Sequence, residues 1–157
     1  VTAACACLAR AAGARGMVGG QALDMAAEGR SLRQQELERL QALKTGALIA
    51  AAAEMGCIAA GGDELERAAV RRYAQKLGLA FQIRDDMLDV VGDEQTLGKS
   101  IGSDSANEKT TFYTLKGLDA CRELVETLTR EAEEALSTFE ERGFLCWLAD
   151  QLAGREK

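Results

Sequence analysis

Phe81-Gln82-Ile83-Arg84-Asp85-Asp86-Met87-Leu88-Asp89-Val90-Val91 places three carboxylates inside an otherwise apolar, helix-forming run. Helical spacing sets Asp85 and Asp89 one turn apart with Asp86 beside them, so all three are expected on one side of the helix. Like charges this close repel, and burying them unpaired would be very costly, so the pattern calls for a cation. Hard oxygen donors with neither His nor Cys nearby suit Mg²⁺, which commonly bridges one or two carboxylates to a substrate phosphate. The bland alternative is a charged turn at a helix end, neutralised by Arg84 or by solvent. Gln82 lies one turn earlier, among Leu79, Phe81, Met87, Leu88 and Val91, and a polar strip on a mostly apolar helix usually lines a cavity.

Outside this stretch, the 157 residues suffice for one domain with its own core, and 47% of them are apolar, as in a folded chain. There is no proline, and Ala and Leu dominate without any alternating β-branched run, so the expected class is all-α. The net charge of −6 argues against a nucleic-acid partner, which would need a basic stripe. Cys5, Cys7, Cys57, Cys121 and Cys146 have no metal-ligand spacing and no His to complete a site, and read as small core residues in a reducing cytoplasm. Glu54 ends the most apolar run, Ala47 to Ala53, short of the about 20 residues a membrane span requires. The chain opens on Val1 and within helical sequence, which suggests a processed or truncated polypeptide.

Glycines punctuate the expected helices. They run over about 1–12, 15–29, 33–55, 64–91, 110–116 and 118–142, with a short last one around Trp147. Gly16, Gly19 and Gly20 would let another backbone approach closely. Ser31 with Gln34 or Gln35 suggests a capping box, and Asp63 an N-cap. Gly92 is expected to close the fourth helix, and 93–109 to form an irregular loop. Leu118, Cys121, Leu124, Val125, Leu128, Ala132, Ala135, Leu136 and Phe139 recur at helical spacing. The acidic residues of 119–141 read as a solvated face.

Three further features could carry chemistry. Lys44 opens an apolar run and could simply snorkel to water, or reach a diphosphate as a point charge with Thr45 as a second donor. Lys99 and Lys109 sit in the loop, either as ordinary surface lysines or as charge on a closing lid. Gln21 and Asp24 are weaker candidates in the glycine-rich second helix.

Together, Gly19-Gly20-Gln21-x-x-Asp24, Lys44-Thr45-Gly46, Phe81-Gln82-Ile83-Arg84-Asp85-Asp86-Met87-Leu88-Asp89 and Thr96-Leu97-Gly98-Lys99 resemble the trans-prenyltransferase, or isoprenyl diphosphate synthase, family, especially its bacterial farnesyl diphosphate synthases (geranyltranstransferases). The resemblance covers essentially the whole chain and implies an all-α bundle around a deep cavity, usually a homodimer. It implies joining of isopentenyl diphosphate to an allylic diphosphate with Mg²⁺ held at Asp85, Asp86 and Asp89, Asp85 most directly. Lys44 and Lys99 would meet the allylic diphosphate, with Gln21 nearby. Thr45 and Gln82 would lie beside the reacting carbons, and Lys109 would belong to the closing loop, although the family usually has Gly-Lys where this chain has Glu108-Lys109.

The family's first aspartate-rich motif, the basic residues that hold isopentenyl diphosphate and the residues that set product length have no counterpart here. Residues 1–157 therefore resemble the C-terminal half of such a synthase, expected to dimerise or to pack against the missing N-terminal half. A competing expectation is a non-catalytic helical partner that regulates a full synthase, which has little reason to keep this residue set. A cyclising terpene synthase shares the helical fold, but Lys44-Thr45 and Gly98-Lys99 favour chain elongation.

Overall fold

A computed structural model describes residues 1–97 and 110–155, and all regular structure among them is helical. Short α1 (Thr2–Ala12) and α2 (Met17–Ala26) are followed by α3 (Gln34–Gln41), a π-helical turn (Ala42–Gly46) and α4 (Ala47–Ala59). A 34-residue helix, α5 (Glu64–Leu97), is the spine, and α6 (Phe112–Lys116), α7 (Leu118–Ala135) and α8 (Gly143–Gly154) complete the chain. Gly61 and Gly117, at φ +82° and +79°, make the left-handed turns before α5 and between α6 and α7, a conformation that penalises any side chain.

α5 packs chiefly against α7 and α4, and also touches α8. Two core clusters are strung along this spine. One joins Ala80, Ile83 and Met87 to Leu37 of α3, Phe112 of α6 and Cys121, Val125 and Leu128 of α7. The other joins Val70, Tyr73, Ala74 and Leu77 to Ala132, Leu136 and Ala149. Cys121, Val125, Leu128 and Ala132 repeat at three- and four-residue steps, so α7 buries one stripe and leaves its acidic face to water. Polar staples fix the remaining angles. Arg71 donates to both Glu54 oxygens at 3.0 and 2.7 Å, tying α5 to α4. This hydrogen bonding holds the Glu54 carboxyl below the usual carboxylate range. The Tyr73 hydroxyl donates to the Leu145 carbonyl at 2.7 Å, and burial pushes its pKa up to about 12.

The glycine-rich segment behaves as its composition suggested. A Cβ on Gly16 or Gly19 would collide with the backbone of Ala11 or Ala14, and one on Gly20 would lie 2.5 Å from the Lys44 Cα. Asp63 caps α5, accepting from the Glu66 N–H at 2.9 Å while the Glu66 carboxylate accepts from the Asp63 N–H at 2.8 Å.

Several sequence expectations need correction. α5 runs through Gly92 to Leu97, since one interior glycine costs a helix only about 1 kcal/mol. The expected 33–55 helix extends to Ala59 and contains the π turn. Ser31 does not cap α3: Arg33 is the N-cap, its N–H held by the Glu36 carboxylate at 3.0 Å. α7 stops at Ala135, and Gly143 begins α8 instead of ending α7. All five cysteines are free thiols, but only Cys121 is buried and Cys5 is exposed. Finally, Gln34–Ala59 forms one 26-residue helical stretch that by length and composition could cross a membrane, because the π turn keeps the helix unbroken past Lys44. Within this stretch Lys44 pairs with Asp24, and Glu54 with Arg71.

Ile83 is fully buried where α5, α6 and α7 meet. Ile83→Ala is expected to lower unfolding free energy by about 3 kcal/mol, read from the urea midpoint at constant m-value.

Candidate active site

Thr45, Gln82 and Asp86 come together where the π turn packs against α5, with Lys44 beside Thr45 and paired to Asp24. A π turn inserts one residue into the helical ladder and so re-aims the side chains it carries. Gly20, one turn before Asp24 on α2, lets the two backbones close on each other, and the Asp24 carboxylate then accepts from Lys44 Nζ at 2.5 Å. The Asp24 side chain is 12% exposed and that of Lys44 32%, so the ammonium is oriented but still reachable.

The neighbouring Thr45 turns toward α5. Its hydroxyl donates to Gln82 Oε1 at 3.3 Å, and Gln82 Nε2 donates to Asp86 Oδ1 at 3.2 Å. The other Asp86 oxygen accepts from the Phe112 backbone N–H at 2.8 Å. Three elements therefore meet in one polar relay: the π turn, two successive turns of α5, and the first residue of α6.

The three aspartates do not share one direction as their spacing suggested. Consecutive residues on an α-helix are about 100° apart, and Asp85 and Asp86 diverge accordingly. Asp86 is 7% exposed and turned inward. Burial pushes its carboxyl pKa up, opposed by the Phe112 and Gln82 hydrogen bonds and reinforced by the charges of Asp85 and Asp89. The Asp85 side chain is half exposed and its Oδ1 accepts from Arg155 Nη2 at 2.6 Å, while Asp89 faces solvent. Among the described residues, no three acidic, Cys or His side chains cluster closely enough to hold a metal by themselves. Asp85 and Asp89, one turn apart and open to solvent, fit a hard divalent cation that takes its remaining ligands from phosphate and water. Asp86, with both oxygens engaged internally, fits an anchoring role better.

Gln21 lies on the exposed side of α2. Lys99 and Lys109 lie outside the described residues. Arg155 escaped the sequence reading, because nothing local distinguishes it from an ordinary charged residue after Gly154. The Phe112 N–H escaped it too, since a backbone donor leaves no residue signature.

The sequence pattern of the polyprenyl synthetase family matches residues 4–141. The chain is 44% identical over 156 residues to farnesyl diphosphate synthase of Escherichia coli K12, covering 96% of this chain and 52% of that one. Among solved structures it superposes on an apo FPP/GFPP synthase from Zymomonas mobilis with a TM-score of 0.84 at 35% identity, covering 96% of this chain and 50% of that chain. A Helicobacter pylori geranyltransferase complexed with magnesium and isoprenyl diphosphate gives 0.74 at 33% identity, covering 96% and 50%. The all-helical fold is shared with these solved synthases. The chain belongs to the polyprenyl synthetase family, and it spans about half the length of the bacterial farnesyl diphosphate synthases it matches.

Asp86 supplies a stability test. Its folded pKa is raised, so its contribution is fully present below the unfolded carboxyl pKa and is lost as pH rises through the folded value. Urea unfolding should show wild type losing stability relative to Asp86→Asn as pH rises through that window. At neutral pH Asp86→Ala, which strands the Phe112 N–H, should cost about 1–3 kcal/mol, and Asp86→Asn markedly less.

Proposed function

We propose that this chain supplies the second aspartate-rich half of an isoprenyl diphosphate synthase site. The reaction would be Mg²⁺-dependent condensation of isopentenyl diphosphate with dimethylallyl or geranyl diphosphate, giving geranyl or farnesyl diphosphate. The observation that supports this reading is the Thr45–Gln82–Asp86 relay, which ties the π turn that carries Lys44 and Thr45 to the acidic stretch of α5 through the Gln82 amide.

Each residue then has a physical task. Lys44, aimed by Asp24, places a positive charge where a diphosphate leaving group gathers negative charge. Asp85 and Asp89 would hold the divalent ion, which when bound neutralises the diphosphate and makes it a competent leaving group. Departure of diphosphate leaves an allylic cation, and the oxygens of Thr45 and Gln82 are placed to stabilise it. The double bond of isopentenyl diphosphate attacks the cation, and loss of a proton gives the new allylic product. No protein nucleophile is needed. Lys99 and Lys109 are assigned by resemblance to the diphosphate and to the closing loop, and Gln21 to the periphery of the site.

The exposed apolar surface suits a half-domain. α1 has no buried residue, and Leu48 on α4 and Val18 and Met25 on α2 are exposed. We propose that such surface packs against an N-terminal half or a second copy, which would shield the cation from water. Free thiols at all five cysteines favour a cytoplasmic setting.

Calorimetric titration with geranyl diphosphate tests this assignment. Binding is expected in Mg²⁺ and should vanish with chelator, and Lys44→Ala should weaken it about tenfold or more, as for loss of a charged hydrogen bond. Absence of binding in Mg²⁺ would favour the helical-regulator reading. The chain alone is expected to show no turnover, because one wall of the metal site is missing; product formation by a sample of verified mass would overturn the half-site assignment.

A further inference from the structure

We infer that Arg155 is an exchangeable counter-ion for Asp85 that holds this carboxylate against metal until a diphosphate-bearing ligand is present. The inference rests on the reading of Asp85 as a metal carboxylate and adds to it the order in which the site fills.

The end of α8 is clamped to α5 in two separable ways. The backbone half uses the Arg155 carbonyl, which accepts from Arg84 Nε at 2.8 Å and Nη2 at 2.6 Å. The side-chain half uses the guanidinium, which gives Asp85 Oδ1 one hydrogen bond at 2.6 Å and lies 4.1 Å from the centroid of the Phe81 ring. Because Arg84 grips the main chain, the guanidinium can leave Asp85 without undocking α8. It is also imperfectly satisfied where it sits: Nε is buried and makes no hydrogen bond, a cost that release into water removes. An Arg with its planar fork can engage a carboxylate through two parallel bonds. Here only one is made, so the pair is close enough to neutralise Asp85 and weak enough to exchange.

Charge then dictates the order. A divalent cation arriving alone at Asp85 meets a carboxylate already neutralised, with a guanidinium beside it, and must displace that cation or tolerate its repulsion. A divalent cation arriving with a diphosphate brings an excess of negative charge, which offsets the repulsion and frees the carboxylate. Arg155 thus makes metal binding depend on diphosphate, guarding the site against metal without substrate.

Mn²⁺ replaces Mg²⁺ in the test, with free Mn²⁺ read by electron paramagnetic resonance, with and without inorganic pyrophosphate. Arg155→Gln removes the charge and leaves the backbone half of the clamp; circular dichroism checks that its helicity is unchanged. Without pyrophosphate, Arg155→Gln should bind Mn²⁺ about tenfold more tightly than wild type, whereas with pyrophosphate the two should agree to within about twofold. Arg155→Lys, which keeps the charge, should resemble wild type. Equal or weaker Mn²⁺ binding by Arg155→Gln without pyrophosphate would overturn the inference. Asp85→Asn in the Arg155→Gln background isolates the underlying assignment: if the gained affinity persists, the metal is not on Asp85 and that reading fails. Absence of Mn²⁺ binding by every protein in both conditions overturns both.

Discussion

Asp86 is the residue on which the rest of the site hangs. A carboxylate placed in the interior of a helical bundle must find donors or be protonated. Asp86 finds two, the Phe112 backbone N–H and the Gln82 amide, and each secures a separate part of the fold. The first docks α6 onto α5, so that Phe112 fills the core beside Ile83 and Cys121. The second fixes the Gln82 amide, which presents its oxygen to Thr45 on the π turn. One buried acid therefore connects the core that stabilises the bundle to the polar groups of the candidate site. Burial raises its pKa, and the hydrogen bonds that oppose this rise are the same ones that organise the site.

The π turn is the second constraint. An uninterrupted helix from Gln34 to Ala59 would carry Lys44 and Thr45 at different angles relative to α5. The extra residue in the turn, seated against the bare backbone of Gly20, brings Lys44 to Asp24 and Thr45 to Gln82. A glycine on one helix and a bulge on another are thus two sides of one close approach, and Lys44 and Thr45 sit on it.

The neighbouring aspartates show how a single helical step divides labour. Asp86 faces inward and anchors; Asp85 faces α8 and meets Arg155; Asp89 faces solvent. Three identical side chains within five residues thus acquire three environments: the bundle interior, the end of α8 and solvent.

Much was legible in the chain itself. Helical class, the stripe that α7 buries, the turns at Gly61 and Gly117, the cap at Asp63 and the proximity demanded by the glycines near position 20 all follow from local rules: period, propensity and the steric freedom of glycine. The candidate residues were equally visible as types, since Lys-Thr and clustered Asp carry their chemistry in their side chains. The direction of each aspartate, the π turn, the run of α5 past Gly92, the Arg84 and Arg155 clamp and the Phe112 N–H were decided only by tertiary structure. Each depends on which element packs against which, on residues up to 78 apart in the chain such as Leu32 and Thr110, or on backbone groups that every residue possesses. Local sequence determines what a residue can do, whereas packing determines what it faces.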